Sequence, residues 1–327
     1  MISAIMSRLT RHTPPLVFVS FVLLVVPVSA RGALRAGAYA QDITPTQFPV
    51  IVNGGFTEVI ATKANDAPHA RAIVMDNGEG TPKLAIVVVD SCMLPRELLD
   101  DAKARARKLT GIPVERMLIS ATHSHSAPSG MGCLGSDADA SYVKILPDLL
   151  AKAIEQANRR IAPARIGFAV VNDPDHTACR RWVFRPDRMR NDPFGELTVR
   201  ANMHPGYQSP DAIGPTGPID PGLSIVSLRH ADGRPLAVLA NYSMHYVGTT
   251  PLSADYYGRF ADRIATLLGA DRDFVGVMSQ GTSGDMWLAD YAKPQPATRP
   301  TIDTFAEALA RETAGAIKSM RYTDDAS

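Results

Sequence analysis

The chain is 327 residues long, enough for one large domain or two ordinary ones with a sizeable buried core. Apolar residues make up 45% and charged residues 20%, a globular balance. A formal net charge of +1 leaves no electrostatic footprint for nucleic acid or an anionic surface, so no nucleic-acid partner is expected.

The first 30 residues differ from the rest. Arg8, Arg11 and His12 precede the apolar run "LVFVSFVLLVV", which is followed by "PVSA" and Arg31. A basic start, an apolar middle and small residues at Val28 and Ala30 describe a secretory signal peptide cleaved after Ala30. An uncleaved anchor helix is the alternative, but the run is short for a full span. The expected products are a signal peptide over 1–30 and a mature domain over 31–327, secreted or periplasmic. Export implies an oxidising compartment. Cys92, Cys133 and Cys179 allow at most one disulfide, and with no CxxC or zinc-finger spacing they read as buried thiols.

"KLAIVVVD" (83–90) is an apolar run of strand length. The next stretch, 96–111, has helical spacing through Leu98, Leu99, Ala102, Ala106 and Leu109 and stops at Gly111. "RMLISAT" (116–122) is another buried strand. Strand, helix, strand predicts a βαβ crossover, with parallel strands in a sheet covered on both faces. His123 then falls at the carboxyl end of a strand, where open α/β sheets place ligands.

Residues 142–160 predict a second helix with an irregularity at Pro147, and 165–171 a strand. Residues 177–221, rich in Pro, Gly, Arg and Asn, predict a long ordered loop of the functional kind. Residues 223–245 predict a hairpin about Asp232-Gly233. A helix over 254–268, a strand over 273–280, the small-residue loop "GTSGD" and a helix over 301–320 complete the chain. The fold class is α/β, with mixed parallel and antiparallel strands flanked by helices, in one domain.

On a strand, residues i and i+2 share a side, so His123 and His125 are expected to point together. Two imidazoles on one side can both bind a metal, or one can bind while the other handles a proton or an oxyanion. His245 stands at another strand end. Asp255 and Asp285 follow at a helix start and in the Gly-rich loop, and either is a candidate to close a metal site. As ordinary structure, Asp255 is a helix N-terminal residue helped by the dipole. Arg180 and Arg181 lie in the long loop, where a guanidinium can clamp a carboxylate or amide oxygen. Ser283 is not in a GxSxG elbow. His69, His176, His204 and His230 have no partner pattern and read as structural or surface groups.

The ordered motifs resemble the catalytic domain of the neutral/alkaline non-lysosomal ceramidase family, over about Gly37 to Tyr291. The pieces that carry this are "GAYAQDITP", "VVVDSC", "ISATHSHSAPSG", "CRRW", the stretch from "GPIDPGLSIV" to "LSADYYG", and "MSQGTSGDMW". The resemblance implies one catalytic zinc and hydrolysis of an amide bond in an N-acylated, lipid-like substrate, with peripheral contact to membrane lipid. His123 and His245 match zinc ligands. His125 matches a histidine beside the metal that helps with the oxyanion or gives a proton to the leaving amine, and Arg180 matches a substrate-site arginine.

Three departures accompany the match. Trp287 stands where ceramidases proper carry a serine, and Cys179 stands where an asparagine precedes the arginine. The family also takes a glutamate and a tyrosine ligand from beyond the Gly-Asp loop, and Ser327 comes before such a region, so a C-terminal truncation is expected. Catalytic zinc wants three protein ligands. The competing expectation is a non-catalytic binding module that has lost those ligands. A nucleotide-binding α/β protein is a weaker reading, since no phosphate-loop glycine pattern follows a strand.

Overall fold

The structure is a computed structural model that describes residues 33–133 and 135–324. The signal peptide and cleavage site expected within 1–30 lie outside the described residues. In chain order the elements are β1 (Arg35–Asp42), β2 (Val50–Val52), β3 (Val59–Ala61), β4 (His69–Asp76), β5 (Leu84–Val89), α1 (Arg96–Thr110), β6 (Met117–Ala121), α2 (Ala140–Arg159) and β7 (Ala162–Asn172). There follow β8 (Ala178–Cys179), β9 (Arg181–Phe184), β10 (Ala201–Met203), β11 (Ala212–Pro215), β12 (Gly222–His230), β13 (Pro235–Tyr242), α3 (Asp255–Leu267), β14 (Val275–Gln280), β15 (Met286–Trp287) and α4 (Ile302–Ser319). The class is α/β, as expected from the sequence.

Eight strands form one sheet in the order β14-β13-β12-β7-β1-β4-β5-β6. The β5–β6 and β13–β14 pairs are parallel and the others antiparallel. The β5–α1–β6 crossover forms because β5 is β-branched and uninterrupted while α1 buries Leu98, Ala102 and Ala106 along one face. Gly111 ends α1 in the left-handed region (φ 75°), and its N–H caps the Arg107 carbonyl.

The sheet consists of two halves. β1 meets β7 at two register pairs only, Arg35–Pro163 and Ala36–Ala162. On one half, α1 and α2 pack over β4 and β5 through Val74, Val87, Val89, Leu146, Leu150 and Ile154. On the other, α3 and α4 pack over β12–β14 through Ile225, Val238, Phe260, Ile264, Phe305 and Leu309. A third cluster joins Ala36, Ala38, Ile73 and Val88 to Leu228, Ala237, Val275 and Val277, so the inner faces of the halves lie against each other. The expected two-sided cover is therefore helices outside and the opposing sheet inside. That cover does not reach Leu118 on β6, which stays exposed.

Three local expectations change. The region 177–221 is not one long loop: β10-β9-β11 form a three-stranded sheet and β8 pairs with β15. Strands this short carry too few alternations to register as a period. α2 runs uninterrupted through Pro147, which is buried, so packing offsets the one lost hydrogen bond. α2 also starts earlier than expected, because the Asp139 carboxylate caps the N–H groups of Ser141 and Tyr142. Among the described residues no helix is long and apolar enough to cross a membrane.

α3 passes close over Gly276 on β14: a Cβ there would lie 2.7 Å from the Ala261 carbonyl oxygen and 2.8 Å from its Cα. These are backbone atoms and cannot swing aside. Gly276→Ala is expected to destabilise the protein by about 2 kcal/mol through overpacking, read as a lower urea midpoint.

Candidate metal centre

The loops after β6 and β13 come from opposite halves and meet. After Ala121 the chain continues beside β5, with Thr122 N–H on the Val89 carbonyl and His123 N–H on the Ser91 carbonyl, both at 2.9 Å. His123 adopts φ 66°, a left-handed conformation unusual for a non-glycine residue. This turn makes the two histidines converge, whereas the sequence pattern attributed convergence to strand alternation. Their Nε2 atoms lie 3.0 Å apart. The His245 ring is 4.7 Å from that of His123 and 5.3 Å from that of His125, between centroids.

Buried hydroxyls join the loops. Ser124 donates to the Ser253 carbonyl at 3.1 Å and Ser126 to the Thr249 carbonyl at 3.0 Å, while Ser253 N–H donates to the Ser126 carbonyl at 2.8 Å. Asp255 is fully buried, and its carboxylate accepts the N–H groups of Val247, Gly248 and Tyr256 at 2.7 to 3.1 Å. It folds the loop behind His245 and is occupied by backbone donors. Burial raises its pKa, and those three N–H groups offset part of the rise. Asp285 pairs through its backbone carbonyl with Arg180 N–H at 2.7 Å. Neither aspartate belongs to a metal-capable group of described residues, and nor does His245: the group here is Cys92, His123 and His125.

Hydrogen-bond partners set the tautomers. His123 Nδ1 donates to the Cys92 carbonyl at 3.0 Å, and His245 Nδ1 to the Ser283 carbonyl at 2.9 Å. In each ring the proton on Nδ1 leaves the Nε2 lone pair as the metal-binding face. His125 Nε2 lies 3.0 Å from His123 Nε2, and its ring also meets the Gly54 backbone. All three rings are held neutral. Burial lowers the His125 pKa to about 3, helped by repulsion from His123, His245 and Arg180 and opposed by a hydrogen bond to the Gly54 backbone. Burial also lowers that of His245 to about 4, against the pull of the Ser283 carbonyl. His123 is lowered by burial as well.

Arg180 stands beside the cluster. Its Nε and Nη2 donate to the Gly284 carbonyl at 3.1 and 2.6 Å, and its guanidinium lies 6.0 Å from the Trp287 ring. Burial and the neighbouring Arg181 lower its pKa. The structure thus brings His123, His125, His245 and Arg180 together.

Several site residues escaped the sequence reading. Tyr246 stacks on His125 at 3.8 Å. Cys92 forms a metal-capable group with His123 and His125, its Sγ 3.7 Å from His123 Nδ1 and its thiol pushed up to about 12 by burial. His204 lies against Trp287 and hydrogen-bonds the Tyr291 hydroxyl at 2.5 Å. Gly54 (φ 116°) passes so close to His125 that a Cβ would sit 2.6 Å from the ring. Only Tyr246, next to His245, carried a signal in the sequence. The three cysteines are free thiols. An apolar cleft of about 660 Å³ between the inner sheet faces, lined by Ile73, Ile86, Phe168 and Val226, shares no residue with this cluster.

No family model matches the sequence, and no curated protein matches it. Solved structures do share its fold. Neutral ceramidase from Pseudomonas aeruginosa superposes with a TM-score of 0.67 at 21% identity, covering 88% of this chain and 46% of that one. A ceramidase complexed with C2 gives a TM-score of 0.67 at 20% identity, covering 88% and 45%. The fold is ceramidase-like, and the chain spans about half the length of these two proteins.

The depressed imidazoles fix a pH dependence. Below about pH 6.5 the unfolded chain takes up protons that folded His125 and His245 refuse until about pH 3 and 4. Stability of the metal-free protein is therefore expected to fall as pH drops from 6.5 to 5. His245→Asn is expected to flatten that slope in urea titrations.

Proposed function

We propose that the protein is a zinc-dependent hydrolase that cleaves an amide bond of an N-acylated, ceramide-like substrate. The observation that carries this reading is the contact of three neutral imidazoles, two of them with Nδ1 locked on backbone carbonyls, at strand ends of a ceramidase-like fold. His123 and His245 would hold zinc through Nε2, two of the three protein ligands such a site needs, beside the metal-capable group of Cys92, His123 and His125. Bound zinc supplies Lewis acidity at the carbonyl and a water nucleophile at neutral pH.

The rest falls to the chain's own groups. Burial lowers the His125 pKa to about 3, which keeps the ring neutral, and its Nε2 lies 3.0 Å from His123 Nε2. A neutral His125 beside the metal would serve as an N–H donor to the oxyanion or pass a proton to the leaving amine. Arg180 spends two N–H groups on Gly284 and has three more for a carbonyl or carboxylate of the substrate. On the N-terminal pattern of residues 1–30 we also propose that the protein is exported, and from the lipid-like substrate class that it meets its substrate at membrane lipid.

With a chromogenic N-acyl amide, His123→Ala and His245→Ala are each expected to lose bound zinc and essentially all turnover. His125→Ala is expected to retain zinc with kcat down about 10²- to 10³-fold. Arg180→Ala is expected to act mainly on KM. Turnover that survives complete chelation overturns the zinc mechanism, and zinc retained without turnover overturns catalysis.

A further inference from the structure

A second group of ligating side chains lies at the carboxyl end of β7, against α4. Asp173, His176 and Glu312 each offer one donor atom, and these atoms lie within 4.8 Å of one another. The Asp173 side chain is 2% exposed and both its oxygens lie 2.8 Å from His176 Nδ1. Its backbone is fixed as well, with N–H on the Pro221 carbonyl at 2.8 Å and the Tyr242 hydroxyl donating to its carbonyl at 2.7 Å. Glu312 Oε2 is shielded from solvent and has no hydrogen-bond partner. A buried carboxylate oxygen left bare in this way costs free energy unless a cation meets it. His176 is partly exposed, which leaves a path from solvent.

From this placement we propose that Asp173, His176 and Glu312 bind a divalent transition-metal cation, separate from the histidine cluster, that ties α4 to the segment leading into β8. Two carboxylates and one imidazole are a mixed O/N donor set of the kind that suits manganese or zinc. Their combined charge of −2 with a neutral ring is balanced by one such ion, whereas an imidazolium alone leaves −1. The consequence reaches the site. Thr177, next to His176, donates its hydroxyl to the Ser243 carbonyl at 2.6 Å, and β8 then leads directly to Arg180. The metal would thus hold the segment that positions Arg180 without touching substrate.

The test is the stoichiometry of Mn²⁺ and of Zn²⁺, each used alone, on the purified full chain after removal of loosely held ions. His123→Ala/His245→Ala is expected to keep one ion per chain, and adding Glu312→Gln to that protein is expected to weaken binding at least tenfold. Wild type with Glu312→Gln is expected to hold one zinc fewer than wild type. His176→Asn repeats the comparison should the Glu312 variant fail to fold. A histidine-cluster variant that binds no ion, or Glu312→Gln and His176→Asn proteins that bind like their parents, overturns the proposal. Loss of the ion at Asp173–His176–Glu312 leaves the zinc reading at His123 and His245 untouched, so the two fail separately.

Discussion

Ser124, Ser126 and Ser253 are fully or almost fully buried, and their hydrogen bonds run between loops from opposite halves of the molecule. A buried hydroxyl without a partner costs about 1–3 kcal/mol, so once these loops leave water they have few arrangements open to them. That constraint brings His245 to His123 and His125. Asp66 adds to it, accepting the Ser253 hydroxyl at 2.6 Å and Ala254 N–H at 2.7 Å. Asp255 completes it from within by gathering three backbone N–H groups. The chemistry of the site rests on imidazoles, but their positions rest on serine and aspartate.

The same economy governs protonation. His123 and His245 are each oriented by a backbone carbonyl on Nδ1 and kept neutral by burial, so orientation and ligand character come from one environment. Arg180 adds positive charge nearby and opposes protonation further. A carboxylate in place of either carbonyl would favour the charged ring. The choice of carbonyls suits a site that must meet a metal with lone pairs.

The sequence showed the histidines and the strand ends, because a βαβ crossover has a strong period and leaves the residues after its second strand at a sheet edge. It did not show how they converge. The left-handed turn at His123 has no signature in "THSHS", where glycine would be the usual marker. Asp255 reads as a helix start and is one, yet its carboxylate serves the His245 loop rather than a metal. Ser124 and Ser126 look like loop polarity until their partners in the other half are known. His176 and Glu312 lie far apart in the chain, so no local pattern links them. β8 to β11 are too short to show a period among prolines and glycines. The legible features were thus local and periodic, and the missing ones were long-range pairings of ordinary polar residues.

The narrow junction of β1 with β7 also bears on how the molecule assembles. One half of the sheet and its helices come from residues 35–159, and the other from 162–319, each an unbroken stretch of chain. Most contacts in each helix-covered core are therefore made within its own stretch, and such units form early and quickly. The first stretch can collapse while the second is still being synthesised. The histidine cluster cannot, because its third ring and the hydroxyl partners of Ser124 and Ser126 arrive with the later stretch. The centre thus gains its third imidazole, and the loop contacts that hold it, only when the later stretch has folded.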